Sequence, residues 1–147
     1  MIAVLQRVSK GYVTINGEVK STVQNGLVIF LGVVRDDTEE DVRFLTEKIS
    51  GFRIFNDENE KMNLSIKDVN GSVLVISQFT LCGDWKKGRR PSFIHAAQPD
   101  KGEHLYKRFI YQLMEKEIPV ESGKFGAFMS VSLINEGPVT FVLDSKN

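Results

Sequence analysis

Apolar positions along this chain fall into three patterns. Leu27–Val34 and Val73–Ile76 are apolar runs rich in β-branched residues, which suits strands buried on both faces. Ile2–Val8 alternates, with Ile2, Val4 and Val8 on one face and Leu5 and Arg7 on the other. Met129, Val131 and Leu133 alternate with Ser130 and Ser132 in the same way, as in a half-exposed strand. Helical spacing appears at Val42, Leu45, Ile49 and Phe52, and again at Leu105, Phe109 and Leu113 with Tyr106 and Ile110 beside them.

These patterns predict the elements in order. Ile2–Val8 leads to Tyr12–Ile15, Asn16-Gly17 supplies a two-residue hairpin, and Glu18–Val23 returns. Gln24-Asn25-Gly26 then predicts a second turn into Leu27–Val34, so the first 34 residues read as an antiparallel meander. Asp37 or Thr38 can cap a helix whose first turn carries Glu39, Glu40 and Asp41, where the helix dipole favours negative charge. Arg53–Phe55 predicts a short strand and Asn56–Asn70 a surface excursion. A strand over Ser72–Leu81 follows, then a loop through Phe93. The second helix starts near Asp100, with Asp100 as cap and Glu103 three residues on, and ends before Pro119. Two last strands are separated at Asn135-Glu136-Gly137-Pro138. The order is that of an α+β fold, mostly antiparallel sheet with two helices.

Composition changes this picture little. The 147 residues, 41% apolar and 26% charged, suit one soluble domain spanning 1–147. Lys plus Arg balances Asp plus Glu at 19 each, so any case for nucleic acid must rest on a local patch. Cys82 is the lone cysteine, which excludes an intrachain disulfide. The N-terminus reads as a strand, no apolar run approaches the roughly 20 residues that span a bilayer, and a cytoplasmic protein is expected.

The chemistry is concentrated in three places. Ser77, Gln78 and Thr80 fall at the polar end of an otherwise buried strand, with Phe79 between them. Each polar group buried without a partner costs about 1–3 kcal/mol, so they meet water, a ligand or neighbouring backbone there. Lys86, Lys87, Arg89 and Arg90 follow Trp85 closely, and cations beside an aromatic ring suit a phosphate backbone with a base to stack. Gly137-Pro138 ends a ladder and exposes two carbonyl oxygens. His95 and His104 lack a second ligand at metal spacing, and no nucleophile elbow or phosphate-binding glycine loop is present. No metal or cofactor is expected.

Ser77-Gln78-Phe79-Thr80-Leu81, Lys87-Gly88-Arg89-Arg90-Pro91-Ser92-Phe93, Phe125-Gly126-Ala127 with Met129, and Asn135-Glu136-Gly137-Pro138-Val139-Thr140 together resemble the D-aminoacyl-tRNA deacylases. Gln6-Arg7-Val8 and the chain length fit as well, so the resemblance covers the whole chain. Glu136 stands where aspartate is more usual and Cys82 where an aromatic residue is expected, and neither touches the Gly-Pro pair.

The resemblance implies a barrel-like core and hydrolysis of the ester joining a D-amino acid, or glycine, to the 3′ end of tRNA. It implies a homodimer with active sites at the subunit interface and no membrane partner. In that dimer the cis Gly137-Pro138 pair of one subunit enters the other's pocket, captures the substrate amino group and excludes an L side chain. Arg7 resembles the arginine that fixes this motif, Phe125 and Met129 line the pocket, and Lys86, Lys87, Arg89 and Arg90 face tRNA. Ser77, Gln78, Phe79 and Thr80 are the catalytic candidates, with the Phe79 and Thr80 amides and the Gln78 side chain as oxyanion donors. Either Thr80 is a nucleophile or the tRNA 2′-hydroxyl assists. Two alternatives stay open: a non-catalytic tRNA-binding dimer, and a relative acting on mischarged L-alanyl-tRNA.

Overall fold

A computed structural model describes all 147 residues. Its spine is the long strand β1 (Ile2–Ile15), followed by β2 (Glu18–Val23) and β3 (Gly26–Gly32). Asn16 and Gly17 take positive φ, as a tight hairpin turn requires. The expected reversal at Gln24-Asn25-Gly26 does not occur. The pairing runs from Ile15↔Glu18 through Gly11↔Val23 and Val8↔Gly26 to Ile2↔Gly32, so β2 and β3 are two parts of one arm antiparallel to β1. Gly26 serves another purpose. It lies beside Ser72 of β6 (Ser72–Ser77), and a Cβ there would stand 1.8 Å from the Ser72 carbonyl oxygen.

β3 pairs in parallel with β6, and β6 in parallel with β7 (Val120–Ser122), a short strand the sequence pattern did not suggest. β8 (Ser130–Asp144) covers the other edge of β1 as one strand, with register shifts between Gln6 and Lys10. The sheet curls until its far edges meet: the Ser21 hydroxyl of β2 donates to the Ser122 carbonyl of β7 at 2.7 Å. The result is a nearly closed, mainly antiparallel barrel.

Helix α1 (Glu39–Ser50) is capped by Thr38, whose hydroxyl accepts from Glu40 while the Asp41 carboxylate accepts the Thr38 amide. Helix α2 (Pro99–Glu115) begins one residue before the expected Asp100 cap. Pro99 fills the first helical position, where its missing N–H costs nothing. Both helices pack on one face of the sheet, burying Val42, Leu45, Ile49, Leu105, Phe109 and Leu113 against Leu5, Ile29, Val73 and Val75. The barrel interior holds Val8, Val13, Val28, Leu74 and Ile76. β6 is therefore buried on both faces, as its unbroken apolar run requires. No helix is long and apolar enough to cross a membrane.

The chain ends are tied to the start of α1. The Ser145 hydroxyl donates to Asp41 at 2.7 Å and the Lys146 ammonium lies 2.8 Å from the same carboxylate. Burial opposes ionisation of Asp41, but hydrogen bonds from Lys146, Ser145 and Thr38 outweigh it and hold the carboxyl well below the usual range. Because the folded-state pKa is depressed, this stabilisation is complete above the unfolded carboxylate value of about 3.9 and is lost as pH falls through the lower folded value. Thermal melts at pH 7 and pH 2 are expected to show a smaller acid-induced drop for Lys146→Ala than for the parent; equal drops would show that the pair does not stabilise the fold.

Candidate active site

β6 stops at Ser77, four residues short of the expected end at Leu81. The Gln78 amide still donates to Leu31 on β3 at 2.8 Å, and Phe79–Cys82 then form a 3-10 turn. That turn folds closely over the end of β3. A Cβ on Gly32 would lie 3.0 Å from the Gln78 carbonyl and 3.1 Å from Cys82 Sγ, so glycine makes room for it. Phe79 and Thr80 open the turn, where amides have no intrahelical acceptor.

Beside the turn is a cavity of about 660 Å3. Leu31, Val33 and Ile76 form its base, Ser77, Gln78 and Phe79 one wall, and Phe125 through Met129 another. Ala96, Ala97, Pro99 and Gly102 complete it. Nothing in the sequence marks these last four, because small apolar residues announce a void only once their neighbours are known. Gly102 sits in α2 against Phe125, whose ring also lies 5.6 Å from Tyr106. The Tyr106 hydroxyl donates to the Val75 carbonyl at 2.9 Å, and burial pushes its pKa up to about 12. Tyr106 thus anchors the wall as a neutral phenol.

The lining includes no Asp, Glu, His, Cys, Lys or Arg. Thr80 is exposed outside it, and its hydroxyl accepts a hydrogen bond from the Gln78 side chain. His95 is exposed, and His104 pairs with Glu39 at 3.3 Å on the surface. Cys82 is buried with its thiol 3.4 Å from the Val33 carbonyl, and burial pushes its pKa up. General acid–base chemistry by a side chain therefore has no candidate in the cavity wall. What the wall offers is the Ser77 hydroxyl and the Gln78 side-chain amide in an apolar surround, where such dipoles act strongly.

Gly137 and Pro138 form a separate site. They are exposed at a turn within β8, outside this cavity, and the bond between them is cis. Beneath them Arg7 is buried, donating from Nη1 to the Ile54 carbonyl at 2.7 Å and to Asn56 Oδ1 at 3.2 Å. The Asn135 side-chain amide donates to the carbonyls of Arg7 and Val139, each at 2.9 Å, closing the turn across its own ends and tying it to β1. Lys86, Lys87, Arg89 and Arg90 lie in a third place, an exposed loop closed by the Asp84–Ser92 bridge, and make no salt bridge.

The profile described as D-Tyr-tRNA(Tyr) deacylase matches residues 4–144. The chain belongs to this family. Membership makes it a deacylase, and hence a hydrolase. It is 57% identical over 145 residues to the D-aminoacyl-tRNA deacylase of Thermotoga petrophila, covering 99% of this chain and 97% of that one. Against the Persephonella marina deacylase it is 56% identical, with 99% of each chain covered. Among solved structures, the c-Myc DNA Unwinding Element Binding Protein superposes with a TM-score of 0.92 at 37% identity, over 98% of each chain. A probable eukaryotic D-amino acid tRNA deacylase superposes at 0.81 with 21% identity over 97% of each chain, a likeness of fold alone.

Proposed function

We propose that the protein hydrolyses the ester between a D-amino acid and the 3′-terminal adenosine of tRNA, accepts the glycyl ester, and works as a homodimer. The observation that carries this reading is a largely apolar cavity with no titratable side chain in its lining, bordered by Ser77, Gln78 and Phe79 where the strand gives way to a 3-10 turn. Such a site suits a substrate that is already activated, as an aminoacyl ester is. It needs only to be positioned, to have its developing oxyanion stabilised, and to be reached by water. The Phe79 and Thr80 amides with the Gln78 side chain are the oxyanion donors in this reading, and the tRNA 2′-hydroxyl assists the attack.

Chirality is read by exclusion, since D and L esters carry the same groups. Gly137 and Pro138 are exposed and lie outside their own chain's cavity lining, which supports a reading in which their carbonyls serve the pocket of a second protomer. Phe79 and Phe128 line the cavity and are exposed, which suits coverage by that protomer. Phe125 and Met129 line the pocket. The exposed cations of residues 86–90 face tRNA phosphates.

The test is hydrolysis of D-tyrosyl-tRNA and L-tyrosyl-tRNA side by side, with rapid loss of the D ester alone expected. Loss of neither, with retention of uncharged tRNA, would favour a second reading as a nucleic-acid-binding dimer. That reading draws on exposed Trp85 and its neighbouring cations and on the name of the 37% identical structure. Loss of L-alanyl-tRNA instead would move the substrate. Removing a general base costs about 10²–10⁴-fold, and removing a nucleophile costs up to about 10⁶-fold. Thr80→Ala is expected to cost less than about tenfold, whereas a 2′-deoxy terminal adenosine abolishes turnover; the reverse pattern would make Thr80 the nucleophile.

A further inference from the structure

We propose that Asn56 is a positioning residue for substrate discrimination: the hairpin of β4 (Phe55–Asn56) and β5 (Met62–Leu64) braces Arg7 against the Gly137 turn. This rests on the function proposed above. Arg7 is 6% exposed, and both hydrogen bonds of its guanidinium go to this hairpin segment, to the Ile54 carbonyl and to Asn56 Oδ1. Its Nε has no hydrogen-bond partner and lies 3.8 Å from the Glu136 carboxylate. Its Nη2 lies against Gly137, 2.7 Å from where a Cβ would stand. The guanidinium is thus gripped on one edge and presses on the turn with the other.

The hairpin is built to hold that grip. Asp57, next to Asn56, accepts the Asn59 and Lys61 amides at 2.9 and 3.0 Å and donates its own amide to the Lys61 carbonyl at 2.8 Å. Arg53 donates to the Asn63 carbonyl at 2.8 Å across the same excursion. A stretch that reads in sequence as mere surface therefore presents a fixed acceptor to a buried cation. Removing the Asn56 acceptor leaves the Ile54 carbonyl as the single remaining hydrogen-bond acceptor, beside the longer ion pair to Glu136. Arg7 then rotates about one hydrogen bond, and the turn above it loses a fixed floor.

Because Asn56 is exposed, its substitution spares the core. For Asn56→Ala, kcat/KM on D-tyrosyl-tRNA is expected to fall about tenfold, a fraction of the 10²-fold that misplacement by 1 Å can cost. The D-to-L rate ratio falls with it, the melting temperature falls by only a few degrees, as loss of one hydrogen bond to a charged group predicts, and Asn56→Asp, which keeps an acceptor oxygen, restores both. Parental rates and ratio in Asn56→Ala would overturn the proposal, as would a loss that tracks melting temperature and is not restored by Asn56→Asp. The Arg7 Nε–H resonance, followed by NMR, is independent of activity. A shift and faster exchange in Asn56→Ala are expected, and an unchanged signal overturns the brace. Should the parent cleave neither ester, the functional reading fails while this signal still decides the brace.

Discussion

Gly137→Ala is expected to lower kcat/KM for a D-aminoacyl-tRNA by about 100-fold or more while the protein stays folded. Two independent features of the turn produce this. Gly137 has φ +111°, a region L side chains rarely adopt, so a methyl group there is strained by about 1–3 kcal/mol. That methyl would also stand 2.7 Å from Arg7 Nη2 and 3.0 Å from Val139 Cγ2. The far end of an arginine usually yields cheaply. Here it does not, because Arg7 is buried and held by Ile54 and Asn56. The turn must therefore move instead, and a displacement near 1 Å at a substrate-positioning group costs about 10²-fold. The check is the rate on D-tyrosyl-tRNA together with a thermal melt. Parental activity in a folded Gly137→Ala protein would remove the turn from the substrate's surroundings.

The largest expected effect on stability belongs to Asp37→Asn. Asp37 is fully buried: one carboxylate oxygen pairs with the Met1 ammonium at 2.6 Å and the other accepts the Val34 amide at 2.6 Å. The Met1 ammonium also donates to Ser145 at 2.6 Å, so the pair ties β1, the entry to α1 and the C-terminal segment together. Asparagine keeps the shape and removes the charge, leaving a buried ammonium uncompensated. Breaking a buried pair from one side costs about 3–5 kcal/mol. At this chain length that lowers Tm by roughly 10 °C or more. Denaturant and thermal unfolding measure it directly, and a variant within about 2 °C of the parent would show that the pair contributes little net stability.

Asp37 also illustrates what local pattern can and cannot supply. In sequence it competes with Thr38 as helix cap, since both residue types suit that position. The structure gives the cap to Thr38 and uses Asp37 for a partner 36 residues away. Gly26 is similar. A Gln-Asn-Gly stretch carries every local mark of a reversal, yet its glycine is required by contact with Ser72, which is distant in the chain. Asn56 lies in a run of polar residues that pattern assigns to solvent, and its function depends on a buried arginine from β1.

The sequence by itself determined the elements whose signal is local and repeated. The doubly buried strand β6, the hairpin at Asn16-Gly17, the apolar stripes of both helices and the alternation near Met129 all follow from side-chain periodicity, which the backbone geometry dictates. Its motifs, taken in order, also pointed to the family. Tertiary structure alone decided where the polar end of β6 leaves the sheet, that small residues from the α2 entry complete the cavity, and that Gly137-Pro138 stands apart from it. These depend on which surfaces approach across long stretches of chain. A glycine or a small apolar residue carries no label for the partner it will meet.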